Sequence, residues 1–354
     1  MKYICLINCG GSTLPRKPNI KNNPPRFGIG EWFGTPVENL LAKQRQDFGR
    51  DQRVSKSDRT GRIPPCPFLS RRSNPVCSKD GGVCSLKLYA FATHVADDGK
   101  ERAKGVPVDG ARGQLRATCP YRFHEDDEVF RWVGEVILDD AKPKMLGEVG
   151  FLEAYATMDS EAGDDVGRID MVLMKSNNPS GFPLEWCAVE IQAVYFSGSS
   201  MKSEFNAYAD ETLTWLTYPA GKRRPDYRSS GPKRLMPQLQ IKVPTLRRWG
   251  KKMAVVVDRA FFDSMGEMIA VNDISNADIA WFVVRFEESD AGRAKLVRDK
   301  VVFTTLERSV EGLTGGQPVS LKTFESRIVR KDLEGGVTVD ITPAQASIEP
   351  EDGE

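Results

Sequence analysis

Two short apolar runs, Arg168 to Met174 and Glu185 to Phe196, flank a stretch from Lys175 to Pro183 dense in Asn, Pro, Ser and Gly. Apolar, β-branched and aromatic runs bounded by turn formers read as the two arms of a β-hairpin. Pairing two strands fixes which residues oppose each other, so this stretch restricts the fold more tightly than any other. With the turn centred near Ser180, Asp170 and Glu190 face each other across the ladder, on the same side of the sheet. Alternation gives Gln192 the face of Glu190 and sends Ile191 to the other. Two carboxylates and an amide thus converge where their neighbours predict a buried sheet. Burying carboxylates is costly unless an opposite charge offsets it. A hard divalent cation such as Mg2+ meets that need with oxygen ligands. On spacing alone, the same residues also fit an ordinary strand with an edge carboxylate.

At 354 residues the chain is long enough for two domains with substantial cores. A net charge of +1 leaves the choice of partner to local clusters of charge. The seven cysteines are an odd number in a large chain, which argues against a secreted disulfide framework. With only two histidines, His94 and His124, the chemistry is expected to run on carboxylates, amides, lysines or thiols. No apolar run approaches the ~20 residues of a membrane span, and the apolar patch at the start is too short for a signal peptide. The expectation is a cytoplasmic protein without a membrane partner.

Along the chain, a short strand at the very start is followed by a Pro-containing arm to about residue 30. A short helix or turn is expected at Val37 to Leu41, and loop from 42 to 64. Cys66, Cys77, Cys84 and Cys119 then lie in segments containing Pro, Gly, Ser and Lys. Four such thiols suggest one tetrahedral metal site stapling a loop-rich lobe, although separate core cysteines fit the spacing too. Zinc, a single iron and a cluster all suit soft thiolates. Cys5, Cys9 and Cys187 read as bystanders. Acids at 126–128 ahead of apolar spacing to Ile137 predict a helix. Glu148 is either a surface acid or a third carboxylate for the site.

Residues 197–234 read as a polar insertion carrying Lys222, Arg223, Arg224, Arg228, Lys233 and Arg234, with Tyr218 and Tyr227 interleaved. It is a solvated loop or a phosphate-contacting surface. A helix with a basic face, including Arg247 and Arg248, is expected from Gln238 to Trp249, interrupted or bent at Pro244. Strands follow at 253–258, 279–286 and 300–305, with helices at 259–265 and 306–313. The acidic last stretch is expected to be disordered.

In their order, Glu31-Trp32-Phe33-Gly34, Cys66-Pro67-Phe68-Leu69, Cys77, Gly82-Val83-Cys84, Cys119-Pro120 and Glu190-Ile191-Gln192 resemble the NotI family of type II restriction endonucleases, over residues 28–290. The resemblance implies an α/β fold. It consists of a restriction-endonuclease-like mixed sheet flanked by helices, with an N-terminal loop-rich lobe in which four cysteines bind a metal. The core would be of the PD-(D/E)xK class, with Gln in place of the usual Lys. The implied division is an arm and recognition lobe at 1–125, a nuclease core at 126–335 and a tail at 336–354. Asp170 and Glu190 would be Mg2+ ligands, Gln192 the third active-site residue and Glu148 an upstream active-site acid. Cys66, Cys77, Cys84 and Cys119 would hold a structural iron, with zinc as the alternative. The implied partner is double-stranded DNA, cut at a GC-rich palindrome by a homodimer. Residues 1–27 and the tail have no counterpart in the family, and 197–234 aligns poorly, so no base-reading residue is carried over. Two other readings compete: a DNA-binding regulator with a four-cysteine metal module and no catalysis, and an iron–sulfur repair or CRISPR-associated exonuclease.

Overall fold

The computed structural model describes residues 23–53, 63–69, 76–154, 165–179, 182–288, 292–315 and 319–334. The strand expected at the very start, Cys5, Cys9 and the acidic tail lie outside the described residues. The chain forms two units, Met1–Gly315 and Gly316–Glu354.

The first described apolar run forms β1 (Arg26–Trp32), which pairs antiparallel with the long β2 (Val83–Val95); β2 in turn pairs with β3 (Glu101–Pro107). Short strands at Thr35–Pro36 and Arg116–Ala117 complete this N-terminal sheet. The lobe is therefore built on a sheet, where the sequence reads mostly as loop. Ile29, Trp32, Val83, Leu86 and Tyr89 form its core, against Tyr208 and Leu213 from farther along the chain. Gly82 has φ +67°, and a Cβ there would come within 2.3 Å of the Phe33 ring, so the turn that delivers Cys84 into β2 needs glycine.

Part of the loop expected at 42–64 is a helix, α1 (Ala42–Asp51). Its buried face is Arg45, Gln46 and Gly49, which carries no apolar period for sequence reasoning to detect. Arg45 holds it in place by donating to the carbonyls of Leu40 and, at 2.8 Å, Thr214.

The main sheet is mixed. Its strands are β4 (Lys144–Leu146), β7 (Met171–Met174), β8 (Trp186–Ile191), β9 (Met253–Asp258), β10 (Ile279–Glu288) and β11 (Ala294–Thr304). β5 (Val149–Glu153) and β6 (Asp165–Ile169) form a separate two-stranded ribbon. The order across the main sheet is β11-β10-β9-β8-β7-β4. β9 is parallel to both neighbours and the remaining pairs are antiparallel. All of β9 is buried, as its unbroken apolar run requires of a strand covered on both faces.

Alternation divides the sheet's side chains between two cores. Leu173, Cys187, Val189, Val256 and Phe282 pack with Phe130, Trp132 and Val133, the last three at or beside α2 (Glu128–Val133). On the opposite face Val172, Ala188, Val255, Trp281 and Val283 meet Leu239, Val243 and Leu246. The latter three belong to a helix that continues through Pro244, whose ring is exposed, so the chain is not interrupted there.

The insertion at 197–234 is more ordered than the loop reading. Phe196–Gly198 pairs with Arg223–Pro225, and α3 (Lys202–Tyr208) packs on α1 and Trp32. Then follow α4 (Met236–Arg248), α5 (Arg259–Ser264), α6 (Leu306–Thr314) and, in the second unit, α7 (Leu321–Leu333), capped by Ser320. Among the described residues no helix is long and apolar enough to cross a membrane.

Candidate active site

β7 and β8 form the predicted hairpin, with Cys187 opposite Leu173, Ala188 opposite Val172 and Val189 opposite Met171. One step beyond this ladder, Glu190 stands opposite Asp170, which lies in the bend between β6 and β7. On the other side, β4 pairs with β7 and β5 with β6 in one common register, which brings Glu148 to the position opposite Asp170. By register, Glu148 and Asp170, each just outside a strand, line up with Glu190 of β8 in one row.

Their environments differ along that row. Glu148 is exposed and paired with Arg168 at 3.0 Å. Asp170 has 58% of its side chain exposed, whereas Glu190 is buried with 3% exposure. Glu190 shares the face of Ala188 and so points toward α4. There the Lys242 ammonium donates to Glu190 Oε2 at 2.8 Å and lies 3.6 Å from Asp170 Oδ1. It also donates to Gln238 Oε1 at 2.8 Å, one helical turn back. Burial raises the Glu190 carboxyl to about 7; Lys242 pulls it down and Asp170 pushes it up.

Gln192 follows the end of β8. Its backbone N–H donates to Val256 at 3.0 Å and its side-chain amide donates to the Ala193 carbonyl at 2.6 Å. The expected place of this side chain is beside Glu190; here its amide is bonded to the neighbouring backbone.

Sequence reasoning leaves Lys242 on a basic helix face, yet it is 5% exposed. The sequence holds a usable signal: Lys242 sits three residues after Leu239 and four before Leu246, on the stripe that α4 buries. A lysine on such a stripe needs a buried acceptor, and Glu190 provides it.

The expected basic surface divides in three. Lys222, Arg224, Arg228, Lys233, Arg234 and Arg248 are at least partly exposed, with the Arg234 guanidinium 4.5 Å above the Tyr195 ring. Arg247 is held by Asp278 and Glu307. Arg223 is buried, bonded to Glu204 and to the carbonyls of Phe27, Ser199 and Ser200, so it braces the fold.

Cys66, Cys77, Cys84 and Cys119 are all buried free thiols. The first three pack with Phe68 and Leu69, and Cys119 approaches Cys84 through its backbone N–H, which donates to the Cys84 carbonyl at 3.2 Å. Burial raises the pKa of Cys77, Cys84 and Cys119. Among the described residues no group of three or more His, Cys, Asp or Glu side chains has the arrangement of a metal site.

Chemically, the Asp170–Glu190 pair suits a divalent cation. Its donors are hard carboxylate oxygens, one buried and one open to solvent, and a cationic ammonium already lies against both. The thiol pocket offers a soft donor set of the kind that iron or zinc takes.

A family model described as restriction endonuclease NotI matches residues 50–296, a span that holds the four cysteines, the carboxylate row, Gln192 and Lys242. No match was found among curated proteins or among solved structures.

Proposed function

Because the chain belongs to the NotI family of restriction endonucleases, which are site-specific deoxyribonucleases, we propose that Asp170 and Glu190 form the Mg2+-holding centre of a type II enzyme. The observation that carries this reading is the buried Glu190 facing Asp170 across paired strands, with a cation against both. When bound, Mg2+ polarises the scissile phosphate and makes water a stronger acid. The rest is the work of the chain. Glu190, fixed by β8 and α4, anchors the site, while Asp170 in its bend presents a carboxylate to the open side. Gln192 carries no charge at neutral pH and cannot act as a base; its amide, turned from the Ala193 carbonyl, orients the attacking water by hydrogen bonding. Glu148 adds a third acid at the outer end of the row.

The proposed core of 126–335 has the restriction-endonuclease-like fold and does the cutting. The lobe of 1–125 positions recognition loops, and the tail of 336–354 takes no part. Cys66, Cys77, Cys84 and Cys119 are proposed to hold one structural metal, iron before zinc, in a closed site that performs no chemistry. A GC-rich palindrome in double-stranded DNA is the proposed target, read by a symmetric homodimer with one active site for each strand. Lys222, Arg224, Arg228, Lys233, Arg234 and Arg248 are the proposed phosphate contacts.

The deciding experiment digests plasmid and phage DNA with Mg2+ and with EDTA. Discrete fragments are expected with Mg2+ alone. Asp170→Ala and Glu190→Ala are expected to lose all cutting while still retarding DNA in a gel. Cutting at the parent rate by either variant would falsify the assignment.

A further inference from the structure

The site just described holds acids and a neutral amide, yet phosphodiester cleavage builds negative charge on the phosphate that a fixed positive group stabilises best. The strand supplies no such group: position 192 is Gln, bonded to the neighbouring backbone. The helix does. Lys242 lies on the buried stripe of α4, which Leu239, Val243 and Leu246 seat against the sheet. Its ammonium is held from three sides, by Gln238 and Glu190 at 2.8 Å and by Asp170 at 3.6 Å. Unlike the fully buried pairs Arg122–Glu31 and Arg223–Glu204, this ammonium also lies against a carboxylate that is open to solvent. Asp170 is more than half exposed, so the amine lies one carboxylate away from open solvent. Gln238, at i−4 on the same helix, fixes the amine's position through a 2.8 Å bond, the kind of preorganisation an electrostatic catalyst requires.

We propose that Lys242 is a catalytic residue whose ammonium contacts the scissile phosphate, supplying from α4 the positive charge that Gln192 does not carry. The proposal rests on the reading of Asp170 and Glu190 as the metal-holding pair.

The test compares the full-length protein with its Lys242→Gln variant, which puts a neutral, slightly shorter hydrogen-bonding group in place of the ammonium. Three quantities are measured: the single-turnover cutting rate at saturating Mg2+ on phage DNA that the parent cuts, Ca2+ affinity by titration calorimetry, and thermal unfolding. The expected result is a loss of cutting of about 10²–10³-fold, with Ca2+ affinity equal to or tighter than the parent's, since a competing cation has gone. Cutting within a few-fold of the parent overturns the proposal. So does a loss of cutting matched by an equal loss of Ca2+ affinity, because Lys242 would then act only by positioning the acids. Should Lys242→Gln fail to fold, Lys242→Met folded in saturating Ca2+, with Mg2+ exchanged in to start the reaction, gives the same comparison. If Asp170→Ala and Glu190→Ala still cut, the underlying reading fails; if they are dead and the Lys242 variant cuts normally, this inference alone fails.

Discussion

Arg122 shows how much of this structure rests on single buried charges. Its side chain is fully buried, with Nε 2.8 Å from Glu31 Oε2, Nη1 bonded to Glu125 at 2.9 Å and Nη2 to the Ala294 carbonyl at 2.7 Å. The guanidinium also lies over the rings of Phe68 and Phe286. Burial pushes the Glu31 carboxyl upward while Arg122 beside it pulls the other way. Arg122→Met is expected to destabilise the protein by about 3–5 kcal/mol, because it strands a buried carboxylate. Adding Glu31→Gln is expected to restore part of that, and urea denaturation of both variants checks it. At this scale legibility is uneven. Asp170 and Glu190 can be found because strand alternation and a turn specify their positions from local sequence. Lys242 and Arg223 escape such reasoning because a basic residue reads as surface until its acceptor is known. Those acceptors, Glu190 and Glu204, lie 52 and 19 residues away.

Among the elements, those built on apolar periodicity are legible: the hairpin, β9, β10 and α6 stand where their hydrophobic runs place them. α1 and the 197–234 segment are not, because glycine contact and backbone-directed bonds from Arg45 and Arg223 hold them in place. The end of β9 is fixed by another polar device. Asp258 caps α5 through the Phe261 N–H at 2.7 Å, and its second oxygen accepts the Ala117 N–H at 3.1 Å, tying the N-terminal sheet to the main one. Burial raises its carboxyl to about 6 despite these bonds and nearby Arg116. A folded value above the unfolded one means that Asp258 gains a proton on folding. Its stabilising contribution is complete below about pH 4 and is lost as pH rises through about 6, by at most about 3 kcal/mol. Denaturant midpoints across pH 4–7 are expected to fall more steeply for the parent than for Asp258→Asn.

For the molecule as a whole, the thiol pocket is where a bound metal would count most. Cys66, Cys77 and Cys84 pack together, and Cys119, just past the short strand at the sheet's edge, is tied to Cys84 through its backbone. A metal bound there contributes its binding energy directly to folding. Cys84→Ser is expected to lose the bound metal and to unfold at a lower temperature, with the parent holding about one iron or zinc per chain by elemental analysis. A variant that keeps normal metal content and melting temperature refutes the structural role. The carboxylate row has a consequence of a different kind. Its three acids fall within one stretch of 43 residues, whereas the ammonium beside them arrives last, on a helix beyond residue 235. On the proposed reading, a polypeptide clipped ahead of that helix carries both metal-holding acids without the ammonium that lies against them.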